Sequence, residues 1–64
     1  MKVREVIRLL EWDGWMLARQ KGSHRQFHHP RKPGTVTISG NPGGEMPKGT
    51  FNSVLKQADL KERR

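Results

Sequence analysis

Lys21-Gly22-Ser23-His24-Arg25-Gln26-Phe27-His28-His29-Pro30 is the stretch that decides the fold. Gly22 and Ser23 interrupt the run before them, so a strand restarts near His24. Pro30 has no N–H to give to a sheet ladder, so the strand stops there or lies at an edge. Between these marks successive side chains point to opposite faces. Phe27 is the one large apolar residue of the stretch and sets which face is buried. Arg25 and His29 share its side, while His24, Gln26 and His28 point the other way. The outward row is polar, approached by the cations Lys21 and Arg25, and headed by an imidazole. A histidine at the start of an exposed strand, among cations, suits proton transfer in phosphate chemistry.

Working outward, Arg31-Lys32-Pro33-Gly34 reads as a turn. Thr35-Val36-Thr37-Ile38-Ser39 alternates with a period of two and is rich in β-branched residues, the pattern of a strand. Val36 and Ile38 join Phe27 in the core, leaving Thr35, Thr37 and Ser39 beside the outer row. On the other side, Trp15 to Gln20 is too short for a helix between Gly14 and Gly22 and reads as a first strand. Its alternation is imperfect, with Trp15 and Leu17 on one face and Met16 and Ala18 on the other. Gly22-Ser23 then closes an antiparallel hairpin.

Helices flank these strands. Val3, Val6, Ile7 and Leu10 form an amphipathic stripe, widened by Leu9, with Lys2, Arg4, Arg8 and Glu11 opposite. The pattern runs from about residue 2 to residue 12, and Gly14 suits the left-handed residue that closes a helix. Trp12 and Trp15 are expected to pack at this helix–strand junction rather than to stack on bases. Gly40 to Glu45 is a loop, and Pro47 stands near the first position of a second helix. Phe51, Val54, Leu55 and Ala58 repeat the apolar stripe. The order helix, three strands, helix predicts an α+β fold resembling the double-stranded-RNA-binding type. Its three-stranded antiparallel sheet carries both helices on one face and leaves the other open. Residues 1–60 form this single domain, and 61–64 are a basic, frayed tail.

The chain has 64 residues, 31% of them hydrophobic, so it holds one thin core. Domains of this size draw only ~3–5 kcal/mol from their cores. There is no cysteine, which excludes a disulfide framework and a thiolate zinc site. Lys plus Arg number 13 against 6 Asp plus Glu, a net charge of +7, which points to nucleic acid or an acidic protein as partner. No apolar run approaches the ~20 residues of a membrane span, and no signal-peptide core is present, so a cytoplasmic protein is expected.

Gly14-Trp15, Lys21-Gly22-Ser23-His24, His29-Pro30, Pro47-Lys48-Gly49-Thr50 and Leu55-Lys56-Gln57-Ala58 together resemble the HicA-type mRNA interferases, toxins of bacterial HicAB toxin–antitoxin pairs. The likeness runs over nearly the whole chain. It implies a metal-independent ribonuclease in which His24 is required for cleavage, and a HicB-like antitoxin that covers the site. The chain departs from the family in carrying Asn41 where many members have histidine, and Asp59 where a glycine commonly closes the second helix.

RNA brings its own nucleophile, the 2′-OH, so such a protein needs only to move protons and stabilise charge on phosphorus. His24 suits the first task. Lys21, Arg25 and the backbone N–H groups of Gly22 and Ser23 suit the second, with His28 touching RNA and His29 helping to form the turn. No metal or other cofactor is expected. His24 and His28 share a strand face but stand ~13 Å apart, too far to ligate one ion. Two other readings use the same basic face: a non-catalytic RNA-binding module, and a protein-interaction subunit for an acidic partner.

Overall fold

The structure, a computed structural model, describes residues 1–60, and the tail expected over 61–64 lies outside them. Its elements are α1 (Val3–Asp13), β1 (Met16–Lys21), β2 (His24–His28), β3 (Val36–Ile38) and α2 (Lys48–Gln57). The strands form one antiparallel sheet in the order β1-β2-β3. The helix–three-strand–helix fold is as the sequence predicts. The third strand is shorter than the Thr35–Ser39 run, pairing only at Val36, Thr37 and Ile38.

One apolar cluster joins the layers. Val3, Val6 and Leu10 of α1, Val54 of α2 and Ala58 beyond it pack with Phe27, Val36 and Ile38 of the sheet, and Trp15 and Met46 complete the cluster. Ile7, Phe51 and Leu60 close its margins. Both helical stripes thus cover the Phe27 face, and the molecule is 17 Å across its shortest axis, about one helix on one sheet. The face carrying His24, Gln26 and His28 is left to solvent.

The start of α1 is satisfied by the loop before α2. The N–H groups of Val3 and Arg4 donate to the carbonyls of Gly44 (2.9 Å) and Pro42 (3.0 Å), and the Glu5 carboxylate accepts from the Lys2 N–H at 2.8 Å. These are donors that a helix start leaves without intrahelical partners. At the other end Gly14 adopts φ +106°, with Gly14 N–H on the Glu11 carbonyl and Trp15 N–H on the Leu10 carbonyl. That pair of bonds is a Schellman closure. The same closure ends α2: Asp59 N–H reaches the Lys56 carbonyl and Leu60 N–H the Leu55 carbonyl, with Asp59 itself at φ +53°. Aspartate tolerates this conformation better than most residues, which explains how the helix ends without a glycine.

A polar latch secures the same corner. The His29 ring accepts the N–H groups of Arg31 (2.9 Å) and Lys32 (3.1 Å) at Nδ1, and its Nε2–H donates to the Asp13 carbonyl at 2.7 Å. This geometry selects the neutral ring protonated at Nε2. The Lys32 ammonium donates to the Asp13 carboxylate (2.6 Å) and to the carbonyls of Ala58 (3.2 Å) and Asp59 (3.0 Å), so it ties the ends of both helices. A cation there also complements the partial negative charge of helix C-termini.

The expectation that both tryptophans pack at the junction holds for one of them. Trp15 is buried edge-on against His29, with ring centroids 5.2 Å apart, whereas Trp12 is 83% exposed. Trp12 follows Leu10 by two residues, a turn of about 200° that carries it to the opposite side of the helix. The Trp15 indole N–H is buried without a partner. We expect Trp15→Phe to cost only about 1 kcal/mol, because the orphaned donor leaves together with the lost ring area. Trp12→Ala should change stability by no more than about 0.5 kcal/mol. Urea denaturation of both variants measures the contrast, and a costly Trp12→Ala would show that its exposure is misread.

Candidate active site

His24 is placed by a two-residue turn. Lys21 and His24 are the last paired residues of the hairpin, joined by Gly22 and Ser23. Gly22 takes φ +59° and Ser23 does not have positive φ, the pattern of a type II′ turn with glycine first. The Gln20 side-chain amide donates to the Gly22 carbonyl at 3.1 Å and steadies the turn. His24 therefore begins its strand directly across from a lysine, with both side chains on the open face.

β1 contributes a second cation through a bulge. Leu17 pairs with Phe27, yet Arg19 pairs with Gln26, so Ala18 is an extra residue in the ladder. In regular alternation Arg19 would share the inner face of Leu17. The added residue reverses the phase, and Arg19 and Lys21 both emerge beside His24. Arg19, Lys21, Gly22, His24 and Gln26 line one open groove. Among the described residues, Arg19 and Lys21 are in no ion pair, so their charge is available to a ligand.

The other expected residues divide by face. Ser23 is exposed in the turn, next to Gly22, which lines the groove. His28 lies on the open face at the far end of β2, opposite Met16. Arg25 faces the Phe27 side, as the alternation predicts, across from Ile38, so the charge expected of it near His24 is directed away from the groove. Its guanidinium donates to the Gly40 carbonyl at 3.3 Å and holds the loop after β3. Arg19, and not Arg25, lines the groove beside Lys21 and His24. The only sequence signal for it was the broken alternation between Trp15 and Ala18, which a bulge explains. Asn41 is exposed, and its carbonyl accepts the Gly44 N–H at 2.9 Å, away from the His24 groove.

The arrangement can attract a polyanion and exchange a proton beside it. The domain is small, basic and α+β, with helices on one sheet face and an open face bearing an imidazole between cations. The chain matches the family described as "HicA toxin of bacterial toxin–antitoxin" over residues 3–60, and it belongs to that family. Membership implies an antitoxin as partner. No curated protein matches the chain. Among the described residues, no helix is long and apolar enough to cross a membrane.

Proposed function

We propose that this HicA family member is a metal-independent endoribonuclease that cuts mRNA at the His24 groove and so arrests translation and growth. The observation that carries the reading is the convergence of Arg19, Lys21 and His24 on one open groove, produced by a bulge and a tight turn. In the proposed step His24 takes the proton of the 2′-OH. The 2′-oxygen bonds to phosphorus, the bond to the 5′-oxygen breaks, and that oxygen takes a proton from water. Arg19, Lys21 and the turn's N–H groups face the charge that grows on the phosphoryl oxygens. With one histidine in the groove, a single residue does not serve as acid and base at once, and turnover is slow.

A HicB-like antitoxin is the natural inhibitor of such a site in the cytoplasm. A partner presenting carboxylates to the +7 toxin would cover the groove and stabilise the fold together, since binding only the folded form raises its stability.

Incubation of the purified protein with a long RNA in EDTA tests the reading. We expect cleavage leaving 2′,3′-cyclic phosphate or 3′-phosphate ends and 5′-hydroxyls. Metal-dependent products with 5′-phosphates would overturn the mechanism. RNA binding without cleavage would favour a non-catalytic module, and no RNA binding at all a protein-interaction subunit.

A further inference from the structure

We infer that the far end of the same open face is a nucleobase subsite, in which Met16 and His28 hold one unstacked base of single-stranded RNA. Such a subsite rests on the proposed reading of RNA as the ligand of this face, and would give the cleavage at His24 a means of choosing where the strand lies.

Met16 and His28 are directly paired across β1 and β2, and both point away from the helices. Paired side chains of this kind have Cβ atoms ~4.5–5.5 Å apart, close enough to form one surface. Met16 is 62% exposed, an apolar side chain set on a face that is otherwise polar and cationic. The core does not use it. A thioether beside an imidazole gives a soft, polarisable platform that fits the flat face of a base. Trp12, though also exposed, lies on the helical layer and is no part of this surface.

Spacing ties the platform to the groove. His24 and His28 are ~13 Å apart along β2, about two nucleotides of extended strand. The cross-strand row Arg19–Gln26–Thr37 spans the gap. It offers a guanidinium to a phosphate, and an amide and a hydroxyl to the sugar or base. Base-paired RNA presents its backbone and a shallow groove but no free base face, so the platform selects single strands.

The test uses the full chain with a single-stranded RNA oligonucleotide carrying 2′-O-methyl groups, which block attack on phosphorus. We expect the Met16 methyl resonance to move upfield through the ring current of the stacked base, together with shifts at Lys21 and His24. In cleavage of a randomised RNA pool, wild type should show a base preference at a fixed offset from the cut. Met16→Ala and His28→Ala should flatten that preference and raise KM about tenfold, with a smaller effect on kcat. Shifts at Lys21 and His24 with none at Met16, or unchanged KM and preference in both folded variants, overturn the subsite while leaving the ribonuclease reading intact. A Met16 shift without any cleavage by wild type keeps the subsite and overturns the ribonuclease. No shift anywhere overturns both.

Discussion

Replacing His24 by alanine should reduce RNA cleavage by about 10²–10⁴-fold, the usual contribution of a positioned acid or base, and abolish growth inhibition. The fold should be unaffected, because His24 is exposed at the mouth of the turn and outside the Phe27 cluster. RNA affinity should also persist. Attraction to phosphate is shared among many cations, and one imidazole adds little to the salt dependence of binding. What leaves is the one imidazole lining the groove, the group placed to take or give a proton. Arg19→Ala and Lys21→Ala should each slow cleavage about tenfold, through weaker stabilisation of charge in a solvent-exposed site. Arg25→Ala should act on stability instead, because its guanidinium is engaged at the Gly40 carbonyl. Full activity in folded His24→Ala would remove the central residue of the mechanism. A larger catalytic loss from Arg25→Ala than from Arg19→Ala would mean that the bulge does not set the site.

Gly14→Ala should unfold much of the protein at 37 °C, at a cost of about 3 kcal/mol. Part of this is backbone strain, since φ +106° lies where side chains other than hydrogen clash. Left-handed geometry costs roughly 1–2 kcal/mol for such a residue. The rest comes from the neighbour. A Cβ on Gly14 would stand 2.7 Å from His29 Nε2, the atom that donates to the Asp13 carbonyl. Moving the ring breaks that bond and loosens the two that Nδ1 accepts, leaving partly buried groups unpaired at a further ~1–3 kcal/mol. Against a total of ~3–5 kcal/mol such a loss is decisive. A double-mutant cycle separates the contributions. With His29→Ala already present, Gly14→Ala should cost measurably less than in the wild type. Strict additivity would show that the collision plays no part.

The sheet and both helices were legible because periodicity reports burial directly. Val3, Val6 and Leu10 keep the helical interval, Val36 and Ile38 keep the strand interval, and all five are buried. His24 was legible because the Gly22-Ser23 turn fixes its phase on the strand. Arg19 was not, since a bulge inserts one residue without a compositional mark and reverses every side chain beyond it. The face of Arg25 was legible from the same alternation, and it is that face which keeps its charge out of the groove. Trp12 and Trp15 stand either side of the same helix end, but Trp12's angle about the helix axis turns it to solvent, whereas Trp15 lies beyond the Gly14 closure and packs into the core. The bonds by which His29 and Lys32 reach the helix ends join residues 16 to 27 positions apart, which no local pattern encodes.

All six residues of β1 are exposed, so this strand is held by its ladder with β2 and contributes no buried side chain. Its opening therefore needs far less free energy than melting the core, and its amides should exchange with solvent by local fraying. The two cations of the groove, Arg19 and Lys21, ride on that strand. The proposed chemistry thus has a lower thermal ceiling than the fold, because peeling β1 from β2 would disable it while the helices and the Phe27 cluster stay assembled.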